Sequence, residues 1–158
     1  MAVPENAADL TRHIETHYHA RHRAELPELA ALAETVETVH FGDEDVPDGL
    51  SALLGRMIGE LEVHMKKEEL ILFPAIRKAA AGLDTPIAAM RDDHDDHAAD
   101  IARIGRLTNG LALPPVACPI WTRLYAELGD FIQAIEEHIR LENEVLFPQF
   151  ETRGDRDV

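Results

Sequence analysis

The chain has 158 residues, 46% apolar and 5% aromatic, which suffices for one domain with a full core. Its net charge of −15 repels phosphates, so neither nucleic acid nor an anionic membrane is an expected partner. One cysteine, Cys118, permits no disulfide framework within the chain; with no basic-then-apolar start in residues 1–10 and no run of 18 apolar residues, the expectation is a cytoplasmic protein without signal peptide or membrane span.

The spacing predicts a first helix from residue 7 to about 40, capped by Asn6 or Asp9. Leu10, Ile14 and Tyr18 form one stripe, and Leu26, Leu29, Ala33 and Val36 continue it. Pro27 predicts a kink at residues 23–25. Residues 41–49 read as a loop from their Gly, Pro and Asp content. A second helix runs from about Pro47 to Phe73 or beyond, with Leu50, Leu53, Leu54, Met57, Leu61, His64, Glu68 and Ile71 facing inward and Pro74 kinking or ending it. Asp84 or Thr85 caps a third helix, with Pro86 in its first turn. Its inner face is Ile87, Met90, His94, His97, Ile101, Ile104 and Thr108, and Thr108-Asn109-Gly110 closes it. After a Pro-rich link at 111–119, a fourth helix runs from about Pro119 to Phe147, burying Leu128, Phe131, Ile135, His138, Glu142 and Val145. Residues 151–158 are charged and expected to fray. No stretch alternates with period two for long. The prediction is an all-α, up-down-up-down four-helix bundle, one domain over 1–158 with its core at about 7–150.

One phrase occurs twice. Residues 64–74 and 138–148 both read H-x-x-x-E-x-x-x-L-F-P, 74 residues apart. On a helix, positions i and i+4 share a face, so each copy presents a histidine above a carboxylate. His19 and His94 repeat at an offset of 75, so the halves read as a duplicated helical hairpin. The inward faces together carry His19 and His22, His64 and Glu68, His94 and His97, and His138 and Glu142. A lone inward histidine is usually a hydrogen-bonded core residue, and a single H-x-x-x-E is often only a polar pair. Here two carboxylates and several imidazoles would be buried together, at a cost of several kcal/mol for each unpaired charge. A pair of divalent cations offsets that cost, because imidazoles ligate them and carboxylates bridge them. Histidine and carboxylate without thiolate suit iron or manganese better than structural zinc. Leu-Phe-Pro reads as core and helix end.

In these residues the chain resembles the hemerythrin (HHE cation-binding) family, and most closely the di-iron domain of the repair-of-iron-centres group. The stretches that carry the resemblance are His17-Tyr18-His19 with residues 23–29, residues 64–69 with Leu72-Phe73-Pro74, residues 90–97, residues 117–121, and residues 138–143 with Leu146-Phe147-Pro148. They span about residues 7–150. The resemblance implies a non-haem di-iron centre of two iron ions. Its ligands would be His19, His64, Glu68, His94, His138 and Glu142, with Glu68 and Glu142 as bridges. It places His22 and His97 beside the centre or at the surface. Asp93, just before His94, stands where some relatives are expected to carry a longer Glu, a position suited to a hydrogen bond or acid role near the ligands. His40 also matches a family histidine, but it lies about 31 Å along a straight helix from His19 and is not expected to ligate the same centre. No catalytic residue apart from the ligands is implied.

The implied function is repair of iron–sulfur clusters damaged by nitric oxide or oxidants, by a nitric oxide reductase-type oxidoreductase activity or by donation of iron. The implied partners are a small diatomic ligand, nitric oxide or oxygen, and damaged iron–sulfur proteins. The alternatives are a hemerythrin-like protein that binds or senses oxygen or nitric oxide without turnover, and an interaction module whose metal is structural. Relatives often carry a short Cys-containing domain ahead of the bundle; its contribution is expected to be absent or supplied by another protein. Cys118, in a Pro-rich link with no neighbouring base evident, reads as a structural cysteine, with a redox thiol as the minor reading.

Overall fold

The structure is a computed structural model, and it describes residues 2–152. The expected fraying of the tail falls mostly on residues 153–158, outside the described residues. Four helices follow one another. Helix α1 spans residues 7–39, α2 residues 50–77, α3 Asp84–Leu107 and α4 residues 119–149. Asn6 caps α1 by accepting a hydrogen bond from the backbone N–H of Asp9 at 3.1 Å.

Contacts between the helices set their directions. The start of α2 meets the end of α1, where Glu37 accepts from the Ser51 N–H at 2.9 Å. The end of α2 meets the start of α1, where Arg77 donates to Thr11. Arg56 and His64 of α2 reach Asp100 and Asp93 of α3. On α4, Trp121 packs on His40 at the end of α1, and His138 reaches His22 nearer its start. Each neighbour is antiparallel, which is the up-down-up-down bundle that the periodicity predicts.

Three of the helices change winding within one turn. Ile14–His19, Glu68–Leu72 and Leu141–Leu146 are π-helical. In the latter two the N–H of Phe73 reaches back five residues to the Glu68 carbonyl, and that of Phe147 to Glu142. Each of these two wide turns ends two residues before the proline of the repeated phrase. Proline has no N–H to give and crowds the carbonyl four residues back, and the wide turn absorbs both defects. The chain therefore passes through Pro74 to Arg77 as helix, and through Pro148 as a short 3₁₀ turn, Phe147–Gln149.

The wide turn also corrects the predicted inner face. Ile71, expected inward, is 67% exposed, while Leu72 and Phe73 are buried. Val145, 74 residues on, is half-buried beside buried Leu146 and Phe147. The extra residue in the turn advances the phase, so the core positions fall one residue later. Pro27 is likewise accommodated: Ala20–Val39 is one α-helical run, with Pro27 on its exposed side where water can meet the freed carbonyl. The irregular turn of α1 lies earlier, at Ile14–His19.

Two apolar clusters fill the bundle. One gathers Leu29, Leu54, Met57, Trp121, Leu128 and Phe131; the other gathers Leu10, Ile14, Phe73, Ile87, Leu146 and Phe147. Between them, in all four helices, lies the layer of buried histidines and glutamates. Phe131 is fully buried. Truncating it (F131A) should lower stability by about 3–5 kcal/mol, read from urea unfolding.

Candidate metal centre

Each helix presents its polar pair to the axis by the three-or-four spacing of its inner face. His19, His64, Glu68, His94, His138 and Glu142 are all buried. The structure brings these six together as two overlapping sets. His19, Glu68, His138 and Glu142 form one, and His64, Glu68, His94 and Glu142 the other. In each set the four ligand atoms lie within 4.8 Å of one another. Glu68 and Glu142 belong to both.

The inner atoms are held close but are poorly satisfied. His19 Nε2 is 3.1 Å from Glu68 Oε1, and His138 Nε2 is 2.9 Å from Glu142 Oε2. His94 Nε2 comes within 2.8 Å of Glu142 Oε1, yet neither atom has an aligned hydrogen bond. His64 Nε2 and Glu68 Oε2 are buried without a partner as well. Orphaned polar atoms of this kind are rare in a folded core. Four of them aimed at one small volume fit a cationic occupant.

The outer nitrogens are each assigned. His19 Nδ1 meets Glu69 at 2.7 Å, His64 Nδ1 meets Asp93 at 2.9 Å, His94 Nδ1 meets Asn143 at 2.8 Å, and His138 Nδ1 meets His22 at 3.1 Å. An acceptor on Nδ1 fixes the tautomer and leaves the Nε2 lone pair facing inward. Arg23 braces Glu69 with two hydrogen bonds, of 2.7 and 2.9 Å. Phe73 lies parallel to the His19 ring at 5.9 Å, and Phe147 to His94 at 5.8 Å. Tyr18 stacks on His138 at 5.4 Å.

Burial dominates the electrostatics. It lowers the pKa of His19 to about 4 and of His22 to about 2, each with a further push from His138. It lowers His97 to about 4 and also lowers His64. For His94 burial is outweighed by Glu142 and Asn143, and its pKa is raised. The two carboxylates diverge. Burial, with the charge of Glu142, pushes Glu68 up; burial would raise Glu142 too, but His138 and His94 hold it well down. The centre thus offers mostly neutral imidazoles around one firmly ionised carboxylate and one that a cation would ionise.

Of the other residues singled out by sequence, Asp93 sits on His64, and His22 on His138. His97 is buried against the rings of His64 and His94, at 5.0 and 6.2 Å, outside both sets. His40 is remote, packed on Trp121. Sequence reasoning missed Glu69, Asn143 and Arg23, and read Phe73 and Phe147 only as core. The repeat held the signal: Glu69 and Asn143 occupy the same place in its two copies, directly after the shared carboxylate.

A family model described as the hemerythrin HHE cation binding domain matches residues 10–150. The chain belongs to the hemerythrin HHE family. Among its relatives, the iron-sulfur cluster repair protein YtfE of Pectobacterium atrosepticum is 43% identical over 143 residues, covering 90% of this chain and 65% of its own length. A probable iron-sulfur cluster repair protein of Haemophilus influenzae is 42% identical, covering 90% of this chain and 64% of its own length. YtfE of Salmonella paratyphi B is 42% identical over 149 residues, covering 94% and 67%. The chain thus spans about two thirds of the length of the curated relatives it matches. The domain of this family binds metal cations, and the two His/Glu sets are where this chain could hold them.

Two outcomes are expected. Removing the Asn143 amide (N143A) should weaken metal affinity about 10–100-fold, measured by competition with a chelator. The metal-free protein should lose stability as pH falls from about 6.5 to about 4. In that window the unfolded chain binds protons on His13, His19, His22, His64 and His97 that the folded chain refuses; His40, His94 and Glu68, all raised, oppose the trend, three against five. Urea midpoints at about pH 7 and about pH 5 would show it.

Proposed function

We propose that the chain is a di-iron domain that acts in the cytoplasm to repair iron–sulfur clusters damaged by nitric oxide or oxidants. The observation that carries this reading is the sharing of Glu68 and Glu142 between two four-residue sets. One cation would be held by His19 and His138, the other by His64 and His94, and both carboxylates would bridge. The donor set of imidazole and carboxylate suits iron. The names of the relatives support the repair role.

Two bound irons would supply redox chemistry toward a small diatomic ligand. The protein's own part is to hold four imidazoles, each locked by its outer partner, and to exclude bulk water with an apolar cluster on either side. Access is provided by an open cleft of about 850 Å³ between α2 and α3, which reaches His64, Asp93 and His97. Its walls also carry Arg56, Lys67 and Asp100. A diatomic molecule needs only a fraction of that space. Because His22 engages His138, it is not free to serve as an additional ligand. Four histidines and two carboxylates favour turnover over reversible oxygen carriage.

Purified protein should hold close to two irons per chain, and a His64→Ala, His138→Ala double variant should lose them; full retention would sink the site. Reduced protein mixed with nitric oxide should release nitrous oxide, detected by gas chromatography, and should restore an iron–sulfur enzyme inactivated by nitric oxide. Nitric oxide held without nitrous oxide release would point to a binding or sensing protein instead.

A further inference from the structure

The far end of the bundle holds a second group of reactive side chains. Cys118 lies 20 residues before His138 on the chain, and His40 lies 21 after His19. Each is about 30 Å along its helix from the metal centre. Cys118 is the N-cap of α4, with an extended backbone at φ −82° and ψ 171°. Pro119 takes the first helical position, where no N–H is required. The thiol makes no capping hydrogen bond, but the N–H groups of Ile120 and Trp121 in the first turn lie near enough to lower its pKa. The thiol is only partly buried.

His40 supplies the base that sequence alone did not reveal. Its side chain is 9% exposed. Its Nδ1 is 2.8 Å from Asp43 Oδ2. Its Nε2 is buried without a hydrogen-bond partner among the described residues, on a ring that packs one helical turn from Cys118, near enough for each group to shift the other's pKa. The ring packs on Trp121 at 4.7 Å. The turn that brings Asp43 back depends on Gly42, whose φ of +84° strains any other residue type, and on a hydrogen bond from the Asp43 N–H to the His40 carbonyl at 2.8 Å.

We propose that Cys118, His40 and Asp43 form a thiolate–imidazole site that reacts with disulfides. Cysteine beside a histidine at a helix N-terminus is the environment that converts a thiol to a thiolate at neutral pH. The shifts agree in direction. His40, then the Trp121 and Ile120 N–H groups, lower the pKa of Cys118; Cys118, then Asp43, raise that of His40. The other titratable groups close by are Tyr125, whose hydroxyl is buried, and Asp45, which accepts a hydrogen bond from Asn109.

The step balances without a further oxidant. The Cys118 thiolate attacks one sulfur of the disulfide, the new S–S bond forms as the old one breaks, and the departing thiolate takes the proton from His40 Nε2. The disulfide's oxidation is passed to a mixed disulfide on Cys118. These 158 residues contain no second cysteine, so an external thiol must resolve that adduct. The neighbours of the pair, Phe41, Val116 and Ile120, are exposed and apolar. With a net charge of −15 on the chain, they select uncharged, apolar disulfides over anionic ones.

The test uses the iron-loaded protein and dithiodipyridine, a neutral aromatic disulfide whose released thione absorbs light. The thiolate gain, reduced by the lower nucleophilicity of a weaker base, leaves Cys118 about tenfold faster than N-acetylcysteine at about pH 6. The variants H40Q and D43N should both be slower, with the midpoint of the rate–pH profile moved upward. C118S should release nothing, and mass spectrometry should find one adduct per parent chain. D43N alters an exposed carboxylate and keeps the His40–Trp121 packing, so it decides the matter if H40Q misfolds. A parent rate no faster than that of N-acetylcysteine, or a D43N profile identical to the parent's, overturns the proposal.

Discussion

Two carboxylates buried in one apolar interior are the constraint on which the rest of this bundle depends. Glu68 and Glu142 are fully buried and face each other's charge. Left alone they would cost several kcal/mol and force one to hold a proton. The four imidazoles around them relieve part of that cost. Each imidazole in turn needs an outer partner to aim its lone pair, and those partners fix how the helices are placed. Arg23 spans from α1 to Glu62 and Glu69 of α2. Arg91 ties α3 to the end of α4 through the Asn143 carbonyl and Glu151. The polar layer thereby sets the register of helices that two apolar clusters merely press together.

The bundle and its six central residues were legible in the sequence because both rest on period and repetition. Apolar steps of three and four gave the helices, and the duplicated H-x-x-x-E pair gave the inward polar residues. The choice of His19 over His22, and of His94 over His97, came from the family resemblance rather than from spacing, since all four are buried. What stayed hidden has a common physical origin. The π turns turn on which carbonyl an N–H chooses, and no side-chain pattern records that choice, so Ile71 was placed inward. The partners Glu69, Asn143 and Arg23 act across helices, and their roles depend on which neighbour lies within reach. The pairing of His40 with Cys118 joins residues 78 positions apart, and only the antiparallel return of α4 makes them neighbours.

The duplication is imperfect where it bears on chemistry. Glu69 on His19 and Asn143 on His94 are equivalent positions with different charge. Asp93 on His64 and His22 on His138 are not equivalent at all. A carboxylate on Nδ1 makes an imidazole a stronger donor than an amide or a second imidazole does. Each four-residue set contains one histidine of each kind: His19 with His138, and His64 with His94. The cleft opens on His64 alone of the four. The two positions are therefore alike in donor strength and in burial, and differ in which of them borders the cleft.

Each set also draws two of its members from each hairpin: His19 and Glu68 against His138 and Glu142, or His64 and Glu68 against His94 and Glu142. Neither hairpin completes a set by itself. Occupation of the centre and docking of the hairpins are therefore thermodynamically linked, and a bound cation would add to the cohesion that the two apolar clusters, drawn from both hairpins, already supply. The short connection between α2 and α3 supplies only proximity. In this sense the fold resembles two half-proteins written on one chain, for which cations at the centre would act as a second interface beside the apolar one.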